Sequence, residues 1–206
     1  MIAPSIQSLF PTAVTFANID RPFTKQEQEF VKATSKKTTF NKGNRSSLDN
    51  YILEQPVLAT MKDELLQAIE HYMRTVLCVV PDTQIYITQS WINYTKLGQF
   101  HHKHTHANSF LSAIIYLDAS EVSDKIFFYE DAYRMMQLKM VENAFNLWNS
   151  TSWSFSVKTG DVVVFPSSLA HMVETKAGTN LRTSLSCNTF FRGIIGSNKP
   201  LTELVL

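Results

Sequence analysis

The sequence has few cysteines, no excess of charge of one sign and no long apolar run. Its two cysteines, Cys78 and Cys187, lie far apart and outside any Cys-x-x-Cys pair, which argues against a disulfide framework and favours a reducing compartment. The 19 basic and 18 acidic residues are dispersed and give a net charge of +1, so no cationic stripe could follow a nucleic-acid backbone. No apolar run approaches the roughly 18 residues of a membrane span, and the first residues lack the pattern of a signal peptide. We therefore expect a cytoplasmic protein, in the host cytoplasm if the chain is virus-encoded.

The length of the chain and the scattered positions of its glycines and prolines predict one domain. The six glycines and seven prolines are scattered, and neither a repeat nor a low-complexity linker interrupts the sequence. We expect residues 1–206 to form a single domain, in which residues 1–83 are a helical or mixed support region and residues 84–193 are the core.

The support region combines helical and polar segments. Thr24 is suited to cap a helix over residues 25–33, and residues 36–50 are interpreted as a polar loop. Apolar residues that recur every three or four positions predict a long helix over residues 56–79.

From residue 84 onward the apolar period changes to two, and β-branched and aromatic residues predominate. This pattern predicts seven short strands, at residues 84–95, 109–117, 125–129, 153–157, 161–165, 170–174 and 181–191. Strands of this number and spacing predict a mainly β sandwich or jelly roll. Residues 131–149 interrupt them and are interpreted as a helix packed over the barrel or as a substrate lid.

Five of the six histidines fall in two places, and they are the main chemical signal of the chain. His101, His102, His104 and His106 lie together, and His171 follows much later. Alternate side chains of a strand share a face, so His102, His104 and His106 can point inward while His101 points outward. His171 would supply a further ligand if its strand lies beside the first. Imidazoles suit iron, copper, nickel or zinc, and the alternative is a polar surface tract with a satisfied core histidine at position 171.

A guanidinium and a hydroxyl group share one face of the last predicted strand. Arg182 and Ser184 alternate in Arg182-Thr183-Ser184, shortly after His171, and both would face the cavity that His171 enters. A guanidinium fork beside a hydroxyl suits a dicarboxylate. The alternative is a rim charge that pairs with an acidic neighbour, but the apolar-rich run after Arg182 favours a position at the mouth of a barrel.

Several short motifs follow one another in a fixed order along almost the whole chain. They are Leu9-Phe10-Pro11-Thr12, Ser90-Trp91-Ile92-Asn93, His104-Thr105-His106, Ser112-Ala113-Ile114-Ile115-Tyr116-Leu117, Thr159-Gly160-Asp161, Val164-Phe165-Pro166, His171 and Arg182-Thr183-Ser184. In this order they resemble the 2-oxoglutarate and Fe(II)-dependent oxygenases of bacteria and their viruses, which are related to prolyl hydroxylases. The resemblance implies a double-stranded β-helix, the cupin-like jelly roll, with Fe(II) and 2-oxoglutarate as cofactors.

The resemblance also implies roles for individual residues. His104 and His171 would bind iron, and Arg182 with Ser184 would hold the distal carboxylate of 2-oxoglutarate. Three further side chains on the strands would approach the cosubstrate, unless they are ordinary strand packing; they are Tyr94, Tyr116 and Ser112.

The sequence departs from most of this family at His106, where a carboxylate is usual in a His-x-Asp or His-x-Glu pair. With His106 as the third ligand, the iron would keep one more unit of positive charge, which changes its redox tuning. Asp118 or Asp131 are alternatives for the third ligand if the strands bring either of them near the metal.

The favoured function is therefore a non-haem oxygenase that uses Fe(II) and 2-oxoglutarate to hydroxylate a small-molecule or peptide substrate. Two alternatives stay open. One is a cupin-like three-histidine dioxygenase that does not use 2-oxoglutarate and in which Arg182 anchors a substrate carboxylate. The other is a non-catalytic jelly-roll binding module with an architectural metal at most. No direct contact with nucleic acid or membrane is expected, and a homodimer stays open.

Overall fold

The computed structural model describes residues 5–130, 141–196 and 200–206, and most of its regular structure is strand. Helix α1 (Lys25–Thr34) and helix α2 (Ala59–His71) lie in the first part of the chain; 3-10 turns at Ile52–Glu54 and Pro56–Leu58 precede α2, and a π-helical turn, Tyr72–Val76, follows it. The strands are β1 (Thr15–Asn18), β2 (Thr38–Asn41), β3 (Asn44–Ser47), β4 (Gln84–Thr95), β5 (His101–His104), β6 (Leu111–Asp118), β7 (Lys125–Tyr129), β8 (Ser152–Ser156), β9 (Asp161–Pro166), β10 (Ala170–Val173), β11 (Arg182–Arg192), β12 (Ile194–Ile195) and β13 (Leu204–Val205).

Two antiparallel sheets pack face to face. The larger sheet has the order β1-β9-β6-β11-β4-β3-β2, the smaller sheet has the order β5-β10-β7-β8, and β12 pairs with β13 as a separate ribbon. Tyr116 and Phe165 of the larger sheet belong to one buried cluster with Ile126 and Phe128 of the smaller sheet. The predicted sandwich of short strands is therefore present.

The larger sheet is buried on both of its faces. Helix α2 covers one face with Met61, Leu65 and Ile69, which recur every four residues and are fully buried, while the smaller sheet covers the other face. Strand β6 consequently has a continuous buried stretch, residues 111–116, instead of alternating apolar and polar residues. Burial of each large side chain stabilises the fold by roughly 1.5–3 kcal/mol.

The seven predicted strands all occur, within about two residues at their ends, as β4 and β6–β11. The predicted helix over residues 25–33 is α1, and Thr24 caps it in a capping box with Glu27. The helix predicted over residues 56–79 is shorter, because a π-turn follows His71 and Cys78 adopts a positive φ of 53°. None of the helices in the described residues is long and apolar enough to cross a membrane.

The interpretation of residues 36–50 as a loop is wrong, because β2 and β3 form a hairpin there. Thr38, Thr39 and Phe40 favour a strand, and Lys42 and Gly43 turn the chain at positive φ values of 40° and 136°. Polar residues are tolerated because the hairpin forms one edge of the sheet.

The helix expected over residues 131–149 is absent from the part that the structure describes. Residues 131–140 lie outside the described residues, and residues 141–149 form exposed turns in which Asn146 and Asn149 bond to nearby backbone. Asn and Asp side chains compete in this way with helical hydrogen bonds.

A buried ion pair joins the connection before β11 to the start of β7. Lys176 Nζ donates to Asp124 Oδ1 at 2.7 Å and to Asn180 Oδ1 at 2.8 Å, and the Lys176 and Asp124 side chains are at most 1% exposed. The next residue of β7, Lys125, provides the backbone carbonyl that accepts from Arg182. The pair therefore holds together the segments that position Arg182.

Candidate active site

Three histidines meet between the two sheets. His104 on β5 lies directly opposite His171 on β10, and His106 follows β5 with its backbone N–H bonded to the carbonyl of Ser167 at 2.9 Å. Their ring centroids are 4.4 Å apart for His104 and His171, 5.1 Å for His104 and His106, and 5.0 Å for His106 and His171. One nitrogen of each ring lies within 4.8 Å of the others.

Hydrogen bonds determine which nitrogen of each ring is free. The Nδ1 atoms of His104 and His171 donate to the backbone carbonyl two residues earlier, at 2.7 and 3.0 Å, and Nδ1 of His106 donates to Asn188 Oδ1 at 2.6 Å. Carbonyl oxygens only accept, so each Nδ1 carries the proton and each neutral ring keeps its lone pair on Nε2. Such tethers orient imidazole ligands in metal sites.

The Nε2 atoms of His104 and His106 are only 3.1 Å apart. Two lone pairs at this separation repel each other unless a cation lies between them. A proton is not available at neutral pH, because burial lowers the pKa of His104 to about 4, that of His171 to about 3 and that of His106 below its usual value. Two nitrogens bound to one metal at right angles, with bonds of about 2.1 Å, would be about 3.0 Å apart. The three residues therefore fit a divalent metal ion.

The expectation that His101 points outward is wrong. His104 pairs with His171 but His101 pairs with Val173, so β5 contains one extra residue, a β-bulge. The bulge brings His101 to the inner side, where its ring stacks on His104 at 4.5 Å.

His101, His102 and His104 form a second group whose ring nitrogens could hold a metal. His104 has one free nitrogen and can serve only one of the two groups. The group with His106 and His171 has all three Nδ1 atoms tethered, whereas His102 Nδ1 is buried without a hydrogen-bond partner. The donor pattern therefore favours the group of His104, His106 and His171, which we call the histidine triad.

The two carboxylates considered as third ligands are not part of either group. Asp118 lies exposed at the end of β6 and accepts from Asn180 Nδ2 at 3.2 Å. Asp131 lies outside the described residues. Within the residues that the structure describes, both metal-compatible groups consist of histidines alone.

An inner pocket on one side of the triad contains Arg182 and Ser184, which are 3% and 8% exposed. Arg182 Nη1 donates to the carbonyl of Lys125 at 3.2 Å, and Nη2 donates to the hydroxyl of Tyr116 at 3.3 Å. Among the described residues, no carboxylate forms an ion pair with Arg182. A buried guanidinium without a counter-ion favours an anionic ligand.

Tyr116 is fully buried and contacts the Arg182 guanidinium, which lies 5.2 Å from the centre of its ring. The expectation that Tyr94 approaches the cosubstrate is wrong, because its hydroxyl donates to the carbonyl of Val31 on α1 at 2.7 Å. Alternation explains the difference. In the last part of β4, Trp91 and Asn93 face the inner pocket, whereas Ile92 and Tyr94 face the helices.

Ser112 lies behind His106 and not in the inner pocket, which corrects its expected role. Its hydroxyl is 2.9 Å from His106 Nδ1 and 2.8 Å from Ser167 Oγ. Asn188 bonds the same imidazole nitrogen, and the sequence interpretation missed it. Continuing the alternation of Arg182 and Ser184 along β11 would have found it.

We expect Asn188→Leu to weaken metal binding by roughly 10–100-fold, as the loss of such supporting bonds typically does. The substitution keeps the size of the side chain but removes the acceptor that fixes the protonated nitrogen of His106. Anaerobic Co(II) titration followed by visible absorption measures the change. Ser186→Ala is the matched control on the same strand face, because Ser186 bonds to Asn93 and to no triad histidine. Equal affinities for both variants would contradict this role.

An open outer cleft of about 380 Å³ lies on the other side of the triad. It shares His101, His104, His106 and Trp91 with the inner pocket. The inner pocket is narrow, about 30 Å³, so a bound dicarboxylate would also occupy part of the outer cleft.

A family described as "Putative 2OG-Fe(II) oxygenase" matches residues 89–188. No curated protein sequence matches the chain. Similar solved structures include an oxidoreductase of the 2OG-Fe(II) oxygenase family from Burkholderia pseudomallei, with 15% identity over 85% of this chain and 83% of that one and a TM-score of 0.56.

Two further solved structures share the fold. HygX from Streptomyces hygroscopicus, solved with nickel, 2-oxoglutarate and hygromycin B bound, has 12% identity over 86% of this chain and 82% of that one, with a TM-score of 0.56. A prolyl-4-hydroxylase from Pseudomonas putida has 14% identity over 88% of this chain and 92% of that one, with a TM-score of 0.53. These likenesses confirm the predicted jelly roll. Together with the family match, which covers 100 of the 206 residues, they indicate a 2-oxoglutarate/Fe(II)-dependent oxygenase.

Proposed function

We propose that this oxygenase hydroxylates its substrate with Fe(II) held by His104, His106 and His171 and with 2-oxoglutarate anchored by Arg182 and Ser184. The observation that carries the proposal is the convergence of three free Nε2 atoms beside a buried guanidinium that has no carboxylate partner among the described residues. The triad supports a metal, and the guanidinium supports a dianionic cosubstrate that reaches from Arg182 to that metal.

The residues of the site have distinct tasks in this proposal. Arg182 grips the distal carboxylate with two parallel hydrogen bonds, and the Tyr116 hydroxyl orients the guanidinium. The tethered imidazoles stay neutral and present Nε2 without first losing a proton. Bound Fe(II) would activate dioxygen, so that one C–H bond of the substrate becomes C–OH while 2-oxoglutarate becomes succinate and carbon dioxide.

We further propose that residues 1–206 act as one oxygenase domain, although the family match covers only residues 89–188. Strands from the first 83 residues complete the larger sheet, since β1 pairs with β9 and β3 pairs with β4. We expect that residues 84–193 alone would not fold stably, because α2 covers one face of this sheet.

The substrate class that we propose at this level is a small molecule or a peptide. One similar structure, HygX, holds hygromycin B, and another is a prolyl-4-hydroxylase. The outer cleft of about 380 Å³ lies in the range of small-molecule sites and opens beside the triad.

Succinate release tests the proposed function without knowledge of the substrate. The purified chain with Fe(II), ascorbate, oxygen and 2-oxoglutarate should release succinate slowly, because oxygenases of this type turn over to some extent without substrate. The measurement is succinate by mass spectrometry, with 2-oxoglutarate labelled at carbon 5 to exclude contamination. A His104→Ala and His171→Ala double variant, which lacks two triad ligands, is the control and should release none. If the parent binds iron but neither binds nor consumes 2-oxoglutarate, the cupin-like dioxygenase replaces this proposal.

A further inference from the structure

The outer cleft is built from uncharged polar side chains. Apart from histidines and Ala107, it is lined by one aromatic side chain, four amides and two hydroxyls: Trp91, Asn41, Asn50, Gln89, Asn188, Ser46 and Thr105. Among the described residues that line it, none is an aspartate, glutamate, lysine or arginine. When the dianionic cosubstrate balances the charge of the metal, a charged group of the substrate would lose water at these side chains without finding an opposite charge among them, which is costly. The lining therefore favours an uncharged ligand.

The amides leave both donors and acceptors directed at a ligand. Asn188 uses its oxygen for His106, which leaves its NH₂ group, and Asn41 uses its NH₂ group for His101, which leaves its oxygen. No hydrogen bond to the side chains of Asn50 and Gln89 occurs among the described residues, and both residues are exposed. Hydroxyl groups match such a mixture, because each one both donates and accepts.

Trp91 provides a flat apolar face at the metal end of the cleft. Its ring is partly exposed and lies 5.6 Å from the ring of His106, at 52° to it. A ring compound that stacks on Trp91 would present its C–H bonds next to the triad and its hydroxyls to the amides. C–H bonds are the bonds that a hydroxylating oxygenase attacks.

An extended peptide fits the cleft less well. A peptide often binds as an added strand at a free sheet edge, and two edges border the cleft: β5, which has only four residues and is interrupted by the bulge, and β2, to which Asn41 belongs. The carbonyl of Thr38 on this strand already accepts from the Arg45 guanidinium at 2.8 Å, and the Thr38 hydroxyl accepts from Arg45 at 2.6 Å. The compact volume of about 380 Å³ also suits a small molecule.

We propose that the outer cleft binds an uncharged, hydroxyl-rich ring compound of the saccharide type, stacked on Trp91 and hydrogen-bonded by the cleft amides. The inference rests on the proposed function, because it assigns the cleft to the substrate of the same metal site. It deepens that function by naming the chemical class of the substrate.

The test compares three sugars of one ring size that differ in charge. N-acetylglucosamine is neutral, glucosamine is cationic and glucuronate is anionic; acetyl-Gly-Pro-Gly-amide serves as a neutral peptide. Binding to the Zn(II)-loaded chain with 2-oxoglutarate is measured by saturation-transfer NMR and calorimetry. We expect the neutral sugar to bind at millimolar concentration and the other three probes to bind at least about tenfold more weakly, which corresponds to about 1.4 kcal/mol.

Variants connect this binding to the cleft. Trp91→Ala should weaken binding of N-acetylglucosamine at least about tenfold, whereas Trp153→Ala, which replaces a tryptophan on β8 outside the cleft, should leave it unchanged. Gln89→Ala is a second variant at an exposed position, where no packing is lost, and should also weaken binding. The proposal is overturned if no neutral sugar binds at tens of millimolar, if a charged sugar or the peptide binds as well, or if neither variant matters.

Failure of the proposed function would look different. In that case 2-oxoglutarate would not bind to the Zn(II)-loaded chain in the same calorimeter, whatever the sugars do. Sugar binding is measured without iron or turnover, so the two results are independent.

Discussion

Replacing His171 with alanine should lower the affinity for Fe(II) by at least about 100-fold. Binding of structural zinc by a set of four ligands is worth roughly 10–16 kcal/mol, so each ligand contributes about 3 kcal/mol, or about two powers of ten. His171 is 5% exposed, and its Nδ1 is tethered to a backbone carbonyl, so its Nε2 is prepared for a metal. Anaerobic Fe(II) titration of parent and variant measures the loss.

Variants of other histidines show whether the metal is held by the triad or by the group of His101, His102 and His104. His71, exposed at the end of α2, is the matched control, and His71→Ala should keep the parental affinity. His101→Ala should weaken binding far less than His171→Ala, although His101 faces inward. If His101→Ala loses the metal and His171→Ala retains it, the group of His101, His102 and His104 holds the metal and the triad is wrong.

Substitutions of His106 test whether this histidine is the third metal ligand in place of the carboxylate that most of the family carries. His106→Ala should lose affinity as His171→Ala does, whereas His106→Asp should retain a metal site because it restores the ligand that most of the family carries. Parental iron affinity of His106→Ala would mean that another group supplies the third ligand.

Replacing Arg182 with lysine should weaken 2-oxoglutarate binding by at least about tenfold. Lysine keeps the charge but cannot form two parallel hydrogen bonds to one carboxylate, and loss of a buried contact of this kind costs about 2–5 kcal/mol. Arg182 is 3% exposed and has no carboxylate partner among the described residues, so the cosubstrate would supply its counter-ion. Calorimetry of the Fe(II) form without oxygen measures the affinity.

Arg192→Lys is the matched control, since Arg192 ends the same strand and lies 4.1 Å from the ring centre of Tyr86. It should bind 2-oxoglutarate like the parent. Ser184→Ala should have a smaller effect than Arg182→Lys, because it removes one uncharged hydrogen bond, worth about 1 kcal/mol. Iron affinity must stay unchanged in all three variants. If Arg182→Lys loses iron as well, the substitution has damaged the fold; if it binds both ligands like the parent, Arg182 is not the anchor.

Local sequence patterns were sufficient to predict many of the helices and strands of this protein. The change of apolar period at residue 84 located seven strands, and Thr24 as a helix cap located α1, because these signals depend on neighbouring residues alone. Alternation along β11 correctly placed Arg182 and Ser184 in one pocket. The histidine pattern indicated a metal site, but it left open which histidines take part.

The tertiary structure decided which side chains face the site, because this depends on pairing between segments that are distant in the sequence. The bulge in β5 turned His101 inward, because the register is set by β10 and not by the sequence of β5. Helix packing on the larger sheet determined that Tyr94 faces α1 and Tyr116 faces Arg182, since every strand has two sides and alternation does not say which one is the pocket. Asn188 and Trp91 reach the triad only when β11, β4 and the segment after β5 are brought together. The sequence by itself therefore determined the fold class and the kind of chemistry, while the folded sheets selected the residues that can perform it.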